Sequence, residues 1–180
     1  MNAMSNLILI GPMGAGKTTN GKWLARQLGK TFVDMDAYIE QKTGTGITHI
    51  FELEGEAGFR QREAAALAEI LANDNQVIAT GGGSILLDAN RELMKRRGLV
   101  LYMHIPPEMQ LQRLLNDRKR PLLQTGDRAE RLQQLAAVRT PIYQSCADIK
   151  IDISRMPMSQ IRPHLLKTLL NHGMSNNHHA

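Results

Sequence analysis

Apolar residues fall into two kinds of run along this chain. Short, nearly continuous runs occur at residues 7–10, 31–33, 77–80 and 99–103, and an alternating one at 149–153. Each has the length of a strand buried in an α/β sheet. Between them lie longer segments with apolar residues at helical spacing, as with Trp23, Leu24 and Leu28 after the first run. Gly29 is a stop for that first helix. Asp36, with Glu40 in the following turn, suits the start of a second. Residues 44–72 read as helix interrupted at Gly44, Gly46, Gly55 and Gly58, strongest from Glu63 through Leu71. Further helices are expected over 88–97, from Pro106-Pro107 to about Asp117, from Asp127 through Val138, and from about Met158 to Leu170. The alternation predicts a parallel sheet with helices on both faces and one domain over residues 1–173. A disordered tail is expected at 174–180, where His178 and His179 read as tail composition rather than a metal site.

Composition narrows the picture. The 180 residues suit one α/β domain, and 42% apolar with 22% charged residues describe an ordinary globular protein. No apolar run approaches the ~20 residues of a membrane span, and the first residues lack a signal-like core. A single cysteine, Cys146, excludes an intrachain disulfide and makes a buried thiol in a cytoplasmic protein the default. The net charge of +5 suits a nucleic acid or a small anionic substrate equally, but aromatics are only 4%. The basic residues are densest at Arg113, Arg118, Lys119 and Arg120, one local stretch rather than a long arm. Small-molecule partners are therefore expected, with no nucleic acid and no membrane, and a monomer.

Chemistry enters at Gly11-Pro12-Met13-Gly14-Ala15-Gly16-Lys17-Thr18, which fits the phosphate-binding loop G-x-x-x-x-G-K-[ST]. It lies between the first strand and the first helix, the context this motif needs. Its glycines let successive N–H groups turn toward phosphate oxygens, and the helix beginning near Gly16 points its positive end at them. Lys17 can reach the β- and γ-phosphates, and the Thr18 hydroxyl can ligate Mg²⁺.

The metal also needs a carboxylate. The strand at 77–80 ends in Gly81-Gly82-Gly83 instead of an acid, which leaves Asp34, at the end of the second strand, as the best-placed candidate. Asp34 and Asp36 are two apart and would share a side if strand geometry persisted; the ordinary alternative for Asp36 is a helix cap. Arg60 and Glu63 can meet on one helical face, or form a solvated surface pair. The three glycines allow a close backbone approach to a ligand, or simply a flexible turn. Residues 118–127, basic and punctuated by Pro and Gly, form a loop that serves either as a lid or as a solvated connection.

Taken together, Gly14-Ala15-Gly16-Lys17-Thr18-Thr19, Asp34-Met35-Asp36, Phe59-Arg60 with Glu63, Gly81-Gly82-Gly83, Arg120-Pro121-Leu122-Leu123 and Arg139-Thr140-Pro141-Ile142-Tyr143 closely resemble shikimate kinase. The resemblance implies phosphoryl transfer from ATP to the 3-hydroxyl of shikimate, with one Mg²⁺, in the chorismate branch of aromatic amino-acid synthesis. It implies a three-layer P-loop kinase fold of nucleoside-monophosphate-kinase type with a five-stranded parallel sheet, a shikimate-binding subdomain over about 34–62 and a lid over about 113–125. It places Asp36, Arg60, Gly82 and Arg139 on shikimate. It places Gly14, Ala15, Gly16, Lys17, Thr18 and Thr19 on ATP, with Arg120 on its phosphates and Arg113 against adenine. Lys17, Asp36 and Arg120 are the catalytic set, and Thr18 and Asp34 the metal ligands. At Met156 the chain departs from a polar nucleotide contact of the family, leaving open whether Arg155 or Met156 meets adenine.

The residue chemistry agrees. Arg grips a carboxylate bidentately, and Arg60 and Arg139 can share that of shikimate, with Glu63 holding the fork of Arg60. Asp36 can orient or deprotonate the attacking hydroxyl. Arg120 on a closing lid would neutralise charge and exclude water. Two other readings compete: a related kinase such as a gluconate kinase, and a nucleotide-dependent switch with no acceptor, which leaves Asp36, Arg60 and Arg139 without a purpose.

Overall fold

The computed structural model describes residues 6–115 and 127–174. Its sheet is built from β1 (Asn6–Ile10), β2 (Thr31–Asp34), β3 (Gln76–Ala79), β4 (Gly98–His104) and β5 (Ile149–Asp152). All pairings are parallel, in the order β2-β3-β1-β4-β5. β1 is central and fully buried, so its side chains divide between two cores by simple alternation. Leu7 and Leu9 pack with Leu24 and Leu28 of α1 (Lys17–Leu28) and with Leu165 and Leu169 of α7 (Met158–Asn171). Ile8 and Ile10 face the other layer, formed from α2 (Met35–Thr43), α3 (Ile47–Ile70), α4 (Asp88–Arg97) and α6 (Arg128–Cys146). Helix α5 (Pro107–Arg113) packs on α6.

Several expectations need adjustment. The helix expected mainly from Glu63 begins at Ile47 and turns a corner at Gly55, where φ 68 and ψ −175 break the helical path. The helix from Asp127 does not stop near Val138 but runs through Pro141 to Cys146. Cys146 is buried and free, as expected. Met174, assigned to the tail, is 4% exposed and packs into the core beside Leu169, so the ordered fold reaches one residue further. Residues 175–180 lie outside the described residues, as do 116–126, which hold most of the expected lid. Of that lid, Arg113 closes α5 and Leu114 is buried against Met13 and Leu132. No helix among the described residues is long and apolar enough to cross a membrane.

Candidate active site

The site lies at the carboxyl ends of β1 and β3, the crevice where ligands bind in open α/β sheets. Thr80 holds the two strands together there, its amide and hydroxyl both donating to Leu9 O at 3.1 and 2.9 Å. The chain leaves β1 into residues 11–16 and enters α1 with Gly14 at φ 78 and Gly16 at φ 84. Left-handed backbone in both turns is what requires glycine. Gly16 is the N-cap of α1 and offers no side chain to its amides, so they are open to an anion. The Lys17 ammonium folds over the loop and donates to Gly11 O (2.7 Å) and Pro12 O (3.0 Å). Arg113 braces it from outside, donating to Gly14 O at 2.7 Å.

Thr18, one residue into α1, donates its hydroxyl to Asp34 Oδ2 at 2.6 Å. The other Asp34 oxygen accepts from the Ala37 amide at 3.1 Å, which makes Asp34 the N-cap of α2. The alternative that gave Asp36 the capping role is thereby excluded, because Asp34 holds it. Asp36 is in its first turn, so strand geometry does not persist between the two acids, yet both line the same cleft.

The end of the cleft away from the phosphate loop is built around Gly81-Gly82-Gly83. A β carbon on Gly81 would lie 2.6 Å from Glu63 Oε2 and 3.2 Å from Asp36 Oδ1; on Gly82, 3.5 Å from an Arg139 nitrogen and from the Tyr143 oxygen; on Gly83, 2.4 Å from the Arg60 guanidinium. Each glycine thus has a different side chain packed against it, so the triplet is a close-packed turn. Glu63, 1% exposed, accepts from Arg60 Nη1 at 2.6 Å and from the Ser84 hydroxyl at 3.0 Å. The pair is therefore internal, not a solvated surface contact. Burial pushes the Glu63 carboxyl above its ordinary value; Arg60 and Ser84 oppose that, and nearby Asp36 adds to it. Arg60 also reaches Glu56 at 3.3 Å and lies over the Phe59 ring, but its Nε is buried with no partner among the described residues.

One cavity of about 460 Å³ joins these parts: Lys17, Thr18 and Thr19 at one end, Asp34 and Asp36 in the middle, and Arg60, Gly82 and Arg139 at the other. Arg139, on α6, and Arg60, on α3, thus meet in one cleft. Arg120 lies outside the described residues. The side chain of Arg155 is 85% exposed and 3.7 Å from Asp152, while Met156 packs against the core of α1 and α7. Ser84 and the cleft-lining Phe51 were not anticipated. Ser84 directly follows the glycine triplet, the one signal that could have found it; Phe51 has no local one.

A phosphate loop at one end of a cleft and paired arginines at the other define a small-molecule kinase of the P-loop class. A shikimate kinase family model matches residues 13–170, and the chain belongs to that family. A shikimate kinase of Nitrosococcus oceani is 46% identical over 164 residues, spanning 91% of this chain and 86% of that one. A shikimate kinase from Acinetobacter baumannii, solved in complex with shikimate, is 43% identical with a TM-score of 0.90, covering 96% of each chain. A gluconokinase from Sinorhizobium meliloti, 15% identical with a TM-score of 0.59 over 96% of this chain and 95% of that one, shares the fold alone.

Proposed function

We propose that this cleft transfers the γ-phosphoryl group of ATP to the 3-hydroxyl of shikimate, giving shikimate 3-phosphate and ADP. The hydroxyl oxygen forms the new P–O bond as the bond to the ADP oxygen breaks, and the hydroxyl proton leaves toward Asp36. Lys17 and the amides of residues 14–19 hold the phosphates, and Arg113 braces the loop against the nucleotide side. Arg120 completes the charge neutralisation from the lid segment. Because the transition state is loose, placing the two reactants matters more than the strength of a base. Asp36 therefore acts first by accepting a hydrogen bond that aims the attacking oxygen.

The Thr18 hydroxyl and Asp34 carboxylate, already 2.6 Å apart, suit Mg²⁺, a hard cation that prefers oxygen donors. Bound there, Mg²⁺ supplies charge neutralisation to the β- and γ-phosphate oxygens. The chain works as a monomer in the cytoplasm on this reading.

The observation that carries the acceptor assignment is Arg60: a guanidinium on a side chain 12% exposed, whose buried Nε has no partner among the described residues, lining the same cleft as Arg139 and the phosphate loop. A carboxylate is the group such a pair recognises. The test is ADP release in a coupled assay with shikimate, with gluconate and with no acceptor. Release that depends on shikimate alone is expected. Release driven by gluconate, or independent of acceptor, refutes the assignment.

A further inference from the structure

None of these roles uses Tyr143, although it closes the Arg139–Tyr143 motif and is 2% exposed behind the cleft. Its hydroxyl donates to Gly82 O at 2.5 Å. The guanidinium of Arg139, one helical turn earlier on α6, lies close by: an Arg139 nitrogen and the phenol oxygen are each 3.5 Å from the point a β carbon on Gly82 would occupy. We propose that Tyr143 is a positioning residue whose hydroxyl fixes the Gly82 peptide beside Arg139 and so sets the spacing between two groups that hold the acceptor. The inference rests on the proposed contacts of Arg139 and Gly82 with shikimate.

Three observations support it. The outer carbonyls of the triplet are taken by backbone, Gly81 O by the Ser84 amide (3.1 Å) and Gly83 O by the Leu86 amide (3.0 Å). The middle one is held by a side chain, so the Gly82–Gly83 peptide plane takes its orientation from the phenol. The Tyr143 ring is itself fixed, stacked on Tyr102 with centroids 4.9 Å apart and planes at 22°. Burial, the main influence on the phenol, pushes its titration far above the ordinary value, so it stays a donor. The result is a peptide held by a fixed phenol donor next to the Arg139 guanidinium.

The test is steady-state kinetics of Tyr143→Phe, which keeps the ring and removes the oxygen, beside Arg139→Ala and Tyr102→Phe. Tyr143→Phe should raise the KM for shikimate about tenfold while the KM for ATP changes less than about twofold. A merely structural tyrosine would lower Tm and leave the ratio of the two KM values unchanged, and that result overturns the proposal. Tyr102→Phe removes a neighbouring buried hydroxyl that faces His104 (2.8 Å), not Gly82, and should leave the shikimate KM alone. An equal rise there would assign the effect to the ring stack and overturn it too. In an Arg139→Ala background the effect of Tyr143→Phe should largely vanish; full additivity refutes the link. A wild-type shikimate KM in Arg139→Ala itself would instead overturn the proposed acceptor site. A second measurement needs no kinetics: hydrogen exchange at residues 82–84 should quicken in Tyr143→Phe, and unchanged exchange counts against the proposal.

Discussion

A β carbon on Gly83 would lie 2.4 Å from the Arg60 guanidinium, so the space left by one residue is the space filled by the other. The backbone of Gly83 is not in the left-handed region, so the constraint is purely one of volume. Gly83→Ala should therefore fold, with the end of the flexible Arg60 side chain displaced. Its shikimate affinity should fall on the order of tenfold or more, as if Arg60 had been weakened. Gly82→Ala meets only ordinary contacts at 3.5 Å and should be milder. Calorimetric titration of shikimate into both variants ranks them, and the opposite ranking would contradict this account.

Lys17 donates to two backbone carbonyls of the loop it covers, Gly11 O and Pro12 O. Lys17→Ala should lose about a hundred- to a thousandfold in kcat. Its Tm should stay close to wild type, because no core contact is removed. Near-normal turnover in a folded variant would remove the phosphate loop from the mechanism.

Asp34→Asn and Asp36→Asn should separate. Asparagine caps a helix as well as aspartate, so α2 survives the first change. The expected loss is in Mg²⁺ dependence, read as a higher metal concentration for half-maximal rate. Asp36→Asn should instead lower kcat and shikimate affinity at saturating Mg²⁺. Titrating metal and acceptor separately distinguishes them, and exchanged phenotypes would mean exchanged roles.

Arg60 and Arg139 should be felt through one ligand group. A charge-assisted hydrogen bond is worth about 1.5–3 kcal/mol, so Arg60→Ala or Arg139→Ala should weaken shikimate binding roughly ten- to a hundredfold. ATP binding without shikimate should barely change. Lysine at either position should rescue only in part, because a point charge lacks the planar fork. In the double variant the two losses should not add. An arginine whose removal leaves shikimate binding intact does not hold the carboxylate.

Glu63 gives a pH dependence with a definite sign. Burial raises its carboxyl above the ordinary 4.5. A carboxyl raised in the folded state contributes stability that is fully present below that ordinary value and lost as pH climbs through the raised one. Wild type should therefore lose stability from acid toward neutral pH in a way that Glu63→Gln does not. Urea unfolding of both proteins across that range should show their difference moving in favour of the variant as pH rises. A flat difference would rule this out.

Local chemistry was the legible part of this chain. The phosphate loop, the sheet strands and the ends of α1 and α4 each depend on neighbours within a few residues. Four functional positions depended on more. Asp34 rather than Asp36 caps α2, a distinction of two residues that either carboxylate satisfies in sequence. The burial of Glu63 follows from the glycine triplet passing over it, and nothing in its own helix signals that. The helix read through Val138 continues past Pro141 and carries Tyr143 under Gly82. That Arg60 and Arg139 share one cleft is a product of α3 and α6 packing on the same sheet face, which pattern alone does not specify.

Asp34 divides its two oxygens between Thr18 at the start of α1 and Ala37 at the start of α2. On the proposed roles, one atom pair thus indexes the metal end of the cleft, and Asp36, two residues along, indexes the acceptor end. The alignment of donor and acceptor is then inherited from the chain's own ruler rather than achieved afresh in each encounter. Lengthening that ruler by one residue would spare the nucleotide's berth and the arginines' grip, and would leave two bound substrates that cannot react.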